Sequence, residues 1–201
     1  PLLILGSLFL AWATLPPSFL TILLLYALTT MTYSIYLKKM MMVDVLTLAG
    51  LYTLRVLAGG VAVGISVSSW LLAFSLFFFL SLAFAKRHGE LQIRKVSTYQ
   101  GIERRVYIGG DKEILGTMGI ISGYMSVLVL ALYINGQEVA SSYENPEMLW
   151  LTCPLLLYWV SRTWLLAHRG NLDDDPLVVA FRDPRSYVIA LAMGICGILA
   201  M

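Results

Sequence analysis

Apolar runs long enough to cross a bilayer recur along the whole chain, and this limits its fold more than any other feature. Seven can be marked: Pro1 to about Thr14, Ser18 to Leu37, Val43 to Gly64, Trp70 to Ala85, Ile114 to Ile134, Met148 to Ala167, and Tyr187 to the end. About 20 apolar residues in a helix span the hydrocarbon core. Backbone polar groups in lipid must be satisfied within the segment, so such runs read as helices. Alternation of period two is absent, which argues against a barrel. Composition agrees: 59% of the 201 residues are hydrophobic and 13% are charged, where a soluble domain carries about 25%. The mean hydropathy is +0.79. A soluble enzyme, a disordered tail and a nucleic-acid module are all disfavoured. The expected fold is an all-α, polytopic transmembrane bundle forming a single domain over residues 1–201.

The net charge of +2 says little, but the placement of the charges says more. Alternate connections hold Lys38 and Lys39; then Lys86, Arg87, Arg94, Lys95, Arg104, Arg105 and Lys112; then Arg169, Arg182 and Arg185, which is 12 of the 14 basic residues. The opposite connections hold none, and one of them carries Glu138, Glu144 and Glu147. The positive-inside rule makes the basic connections cytoplasmic, so residue 1 is expected on or near that side. The first run is short, begins at proline and ends at the helix-breaking Pro16 and Pro17. The chain is therefore expected to be a fragment lacking its true N-terminus. Cys153 and Cys196 lie in apolar runs and read as small hydrophobes, with no metal spacing or disulfide framework. No polar stripe suited to a channel and no repeated, interrupted helices suited to a carrier are visible. Polar chemistry gathers at one membrane face, which suits an enzyme joining a lipid to a water-soluble or phosphorylated substrate.

Particular residues carry two readings each. Arg55 sits inside the third run, where a charge costs about 2.5–3.5 kcal/mol on insertion scales. Asp44, 11 residues earlier, shares nearly the same helix face about 16 Å away along the axis. Together they form the polar wall of a cavity open to the cytoplasm, or Arg55 caps carbonyls of a neighbouring helix near Gly59 and Gly60. Lys86, Arg87 and Glu90 fall at i, i+4 and i, i+3 spacing where the fourth run ends. Cations beside a carboxylate suit a phosphate with bound Mg²⁺, and equally an ordinary basic flank. Lys38 can hold a phosphate or snorkel. Tyr33 and Tyr36 can face a substrate or belong to the interfacial belt. Tyr107 and Asp111 flank the turn signal Gly109–Gly110; Asp111 either caps the next helix or binds metal. Asp173, Asp174 and Asp175 can collect a cation or form a solvated loop. Arg162 pairs with that loop or snorkels. His88 and His168 each lack a second histidine at ligand spacing, so no zinc site is read.

The string YSIYLKKMMMVDVLTLAGLYTLRVLAGG (Tyr33 to Gly60) resembles part of the UbiA superfamily of intramembrane transferases. The likeness is closest to the decaprenyl-phosphate phosphoribosyltransferase branch, with its YSxxLK, a following aspartate, and LRxxAGG. AFAKRHGEL (Ala83 to Leu91) resembles that branch's KRxxEL signature, and HRGNLDDDPLVVAFRD (His168 to Asp183) resembles the end of UbiA-like proteins. GIISG (Gly119 to Gly123) and Pro154 to Trp164 fit the same set.

The resemblance implies nine helices around a cavity open to the cytoplasm and to lipid, the seven runs matching helices three to nine. It implies Mg²⁺ held by aspartate-rich loops. One of these, NDxxDxxxD, would lie before residue 1, leaving this chain alone inactive. A hydrolase domain can precede it. Where typical aromatic prenyltransferases have DxxxD, this chain has Lys86-Arg87-His88-Gly89-Glu90. That departure favours 5-phosphoribosyl diphosphate as donor and a polyprenyl phosphate lipid as acceptor. The residues implied in catalysis are Lys86, Arg87, Glu90, Asp44 and Arg55. Those implied in substrate binding are Tyr33, Lys38, Tyr107 and Arg162, and those in metal binding are Asp111 and Glu90. The active face would be cytoplasmic, in a bacterial inner membrane, with no nucleic-acid partner. The alternatives are polyprenyl transfer from a prenyl diphosphate to an aromatic acceptor, and a non-catalytic transporter or scaffold.

Overall fold

The computed structural model of the chain describes residues 16–96, 107–136, 139, 141, 143–170, 178 and 183–201, with side chains omitted at 93–96. The first apolar run, Arg94, Lys95, Arg104, Arg105, Asp173 to Asp175 and Arg182 lie outside the described residues or side chains. Among the described residues the regular structure is entirely helical. Six α-helices are described: α1 (Pro17–Ile35), α2 (Val43–Val63), α3 (Ser69–Val96), α4 (Lys112–Ile134), α5 (Thr152–His168) and α6 (Pro184–Ala200).

Four segments are long and apolar enough to cross a membrane: Pro17–Lys39, Val43–Val63, Ser69–Gln92 and Gly109–Ile134. The chain is accordingly an integral membrane protein. α5 and α6 have 17 residues each, short for a hydrocarbon core of about 30 Å. The expectation of seven spans thus becomes four that meet the length among the described residues. The fourth run does not stop at Ala85, because α3 continues to Val96. The sixth begins as a 3₁₀ segment, Pro146–Leu151, and becomes α-helical only at Thr152.

The ends follow local chemistry. Proline opens α1 and α6, where its missing N–H is no loss. α2 closes on Gly64 at φ 73°, whose N–H returns to Gly60 and Val61, the left-handed helix cap that glycine favours. α1 has no buried residue. Its Thr29, Thr30 and Thr32 hydroxyls donate to carbonyls four residues back, which keeps them compatible with lipid.

α3 is the hub, packed against α2 on one side and α4 on the other, with α1 against α2 and α5 against α4. The core gathers Phe84, Leu115, Leu156, Val160, Trp164 and Ala167. GIISG serves packing here. A Cβ on Gly119 would stand 2.1 Å from the Trp164 ring and 2.8 Å from Phe84; one on Gly123 would stand 2.5 Å from Val160. Small residues let the helices approach closely. In that contact Ser81 Oγ donates to Gly119 O (2.7 Å) and accepts from Trp164 Nε1 (3.0 Å).

Candidate active site

α1 ends in a 3₁₀ turn, Leu37–Lys39, and the chain reverses through Met40 to Met42 into α2. The reversal puts Met42 at φ 64°, a conformation that costs a non-glycine residue about 1–3 kcal/mol. Met42 N–H donates to the Tyr107 hydroxyl (2.9 Å). That hydroxyl donates in turn to Asp44 Oδ1 (2.6 Å). Asp44, in the first turn of α2, is 1% exposed. Its Oδ2 accepts from Arg87 Nε (2.7 Å).

Arg87 joins the bundle at this mouth. Its Nη1 donates to both Glu90 oxygens (2.9 and 2.7 Å), and its Nη2 to the Tyr33 hydroxyl (3.2 Å). One guanidinium therefore ties α1, α2 and α3 together and, through Asp44 and Tyr107, the segment leading to α4. All three of its nitrogens donate: Nε to Asp44, Nη1 to the two oxygens of the Glu90 carboxylate, and Nη2 to Tyr33. Burial and the hydrogen bond given to Asp44 push the Tyr107 hydroxyl above its ordinary range, so it remains a neutral donor at neutral pH. The extended α3 places Lys86, half-buried, beside Arg87, while Lys38 is exposed at the end of α1.

Below this network lies an apolar cavity of 510 Å³, lined among others by Thr29, Leu37, Gly50, Leu51, Leu54 and Leu76. It lies between the same three helices: on α1, Thr29 is one turn before Tyr33, and on α2, Thr47 and Leu51 follow Asp44 at i+3 and i+7. A charged mouth above an apolar furrow can hold a phosphate head and a hydrocarbon tail.

Other predicted residues fall elsewhere. Arg55 does not reach Asp44, nor does it cap carbonyls near Gly59. It is exposed deeper along α2, its guanidinium over the Tyr26 and Tyr52 rings (5.4 and 5.5 Å) and its Nε donating to Tyr26 (3.1 Å). Asp111 accepts from Ile108 N–H (2.9 Å) and thus caps the short turn before α4. Arg162 pairs with Asp183, pinning α5 to the start of α6. Cys153 and Cys196 are both free thiols.

The histidines meet although their spacing gives no sign of it. His88 and His168 are 80 residues apart, yet their rings stack at 6.4 Å and 25° beside a 320 Å³ crevice. Two other relationships also had no local signal: Tyr107 on Asp44 and Tyr33 on Arg87. Tyr52, three residues before Arg55, could have been found from helix spacing.

The Mg²⁺ expectation rests mainly on an aspartate-rich loop before residue 1, and Asp173 to Asp175 lie outside the described residues. Among the described residues no group of three or more His, Cys, Asp or Glu gathers. Asp44 and both oxygens of Glu90 are hydrogen-bonded to Arg87, and Asp111 is bonded to its own turn.

No family model matches the chain. It is similar to the uncharacterized protein y4nM of Sinorhizobium fredii, 36% identical over 177 residues, covering 88% of this chain and 34% of that protein. It is similar to the nodulation protein NoeC of Azorhizobium caulinodans, 34% identical over 157 residues, covering 76% of this chain and 50% of NoeC. It is also similar to the decaprenyl-phosphate phosphoribosyltransferase of Mycobacterium tuberculosis, 27% identical over 183 residues, covering 90% of this chain and 58% of the enzyme. The chain thus spans between about a third and three-fifths of the length of these curated relatives. It is a distant homologue of a membrane transferase and of NoeC.

Proposed function

We propose that the chain is part of a UbiA-type intramembrane transferase that moves a phosphoribosyl group from 5-phosphoribosyl diphosphate to a polyprenyl phosphate. The observation that carries this reading is the Arg87 network at the end of the helices that line the apolar cavity, with Lys86 next to Arg87 in α3 and Lys38 exposed in the turn after α1. The homology to a decaprenyl-phosphate phosphoribosyltransferase supports the same substrate classes. In the reaction a phosphate oxygen of the lipid bonds to the anomeric carbon. The bond from that carbon to the diphosphate breaks, and diphosphate leaves with the electron pair.

Arg87, Lys86 and Lys38 stabilise charge on the phosphates, which counts for more in a water-poor site than in water. Asp44 and Tyr107 fix the Arg87 guanidinium, so no reorganisation is needed when charge develops. The furrow between α1, α2 and α3 holds the prenyl chain and shields the reaction from water. The active face is cytoplasmic, because the basic connections lie there. No step is assigned to Mg²⁺.

The test uses membranes containing the full-length protein, labelled phosphoribosyl diphosphate and a polyprenyl phosphate. Label is expected in the lipid fraction. Unlabelled lipid, with a prenyl diphosphate alkylating an aromatic acid instead, would overturn the reading.

A further inference from the structure

The two carboxylates on Arg87 are not equivalent. Asp44 is 1% exposed and held on its second oxygen by Tyr107, so it cannot leave without stranding a buried charge. Glu90 is 37% exposed, sits one turn along the same helix, and places both oxygens on the single nitrogen Nη1. A phosphate carries oxygens that arginine can receive in the same way. We infer that Glu90 is an exchangeable stand-in for a phosphate group: it holds Arg87 in the resting site and is displaced when a phosphate arrives. The inference rests on the phosphate-binding part of the function proposed above, and it reverses the expected role of Glu90 as a metal ligand.

The physical argument is one of competition. A guanidinium in a partly dehydrated mouth needs a counter-charge at all times, and Asp44 neutralises it only at Nε. With Glu90 on Nη1 the empty site avoids a dehydrated, unsatisfied cation. Because Glu90 is near solvent, releasing it to water costs little, whereas releasing Asp44 would not. A phosphate group from the soluble donor or from the lipid has the right chemistry to take its place.

The test is binding to the full-length protein in nanodiscs, with and without Glu90→Gln. One arm uses inorganic pyrophosphate without divalent cation, and the other a polyprenyl phosphate in the nanodisc. Removing the competing carboxylate should tighten one of them about fivefold, the scale of an exposed ion pair. A gain for pyrophosphate assigns the exchange to the soluble donor; a gain for the lipid assigns it to the acceptor. Glu90→Ala should reproduce the gain, and both variants should stay folded, melting slightly below the parent as the loss of a partly exposed ion pair requires. Equal or weaker binding in both arms overturns the inference. Failure of the function proposed above is separate: binding can tighten while no phosphoribosyl group is transferred.

Discussion

Asp44 and Arg87 form an ion pair across 43 residues of sequence, Oδ2 to Nε at 2.7 Å, and the carboxylate is 1% exposed. Breaking a buried pair by removing one partner leaves the other charged and unsatisfied, at about 3–5 kcal/mol. Asp44→Ala should therefore lower Tm in detergent strongly and abolish activity. The apolar double variant, Asp44→Leu with Arg87→Met, should recover much of the stability and none of the activity. Thermal melts of the two single variants and the pair, with transfer assays alongside, check this. A single Asp44→Ala melting like the parent would show that the pair does not support the fold.

Tyr107 joins this pair to the strained turn at Met42. Tyr107→Phe keeps the ring, which is 6% exposed, and removes the hydroxyl that serves Asp44 and the Met42 N–H. Leaving such a buried group unsatisfied costs about 1–3 kcal/mol, so the variant should fold with a lower Tm. The pH dependence follows in sign. The folded hydroxyl holds its proton above its ordinary value of 10.0, so its stabilising share is complete below that pH. It is lost as pH rises towards the folded value. Melts between pH 8 and 11 should fall more steeply for the parent than for Tyr107→Phe; parallel curves would remove Tyr107 from the alkaline transition.

The helices were legible because lipid admits few alternatives for long apolar runs. Their ends were less so. Lys86 to Gln92 reads as a connection by polarity, yet α3 carries it as helix, since Lys, Arg, Glu and Leu are good helix formers. The Arg87–Glu90 contact was visible at i, i+3. The contacts that define the site, Asp44 to Arg87 and Tyr107 to Asp44, were not, because nothing in a single sequence marks which distant helix faces meet. The same holds for His88 and His168. Arg55 stood out as a charge in an apolar run, but its tyrosine partners did not, since aromatics are common in such runs.

Gly119 and Gly123 test the packing at the hub. Gly119→Ala puts a methyl where the Trp164 ring and Phe84 already stand, and Gly123→Ala meets Val160 and Ser81. Overpacking of this kind costs about 1–3 kcal/mol. Gly194→Ala in α6, with nothing within 4 Å, is the control and should melt like the parent or slightly higher. If all three variants melt alike, the close approach of α4 to α3 and α5 is wrong.

Arg162 and Asp183 are 21% and 15% exposed and pair between α5 and the start of α6. Asp183 also accepts from Arg185 N–H at 3.2 Å, so it serves as both helix cap and ion-pair partner. Arg162→Ala removes only the pair, Asp183→Ala removes pair and cap, and Asp183→Asn keeps much of the cap. The expected order of protection of α6 against limited proteolysis is parent, then Arg162→Ala and Asp183→Asn together, then Asp183→Ala. The cap is worth about 0.5–2 kcal/mol. Adding Arg162→Ala to Asp183→Ala should cost nothing further, because the pair is already gone. An additional loss in the double variant would mean that Arg162 has a second role, and its place among the substrate-binding residues would then be the first to test, by measuring KM for the phosphorylated donor.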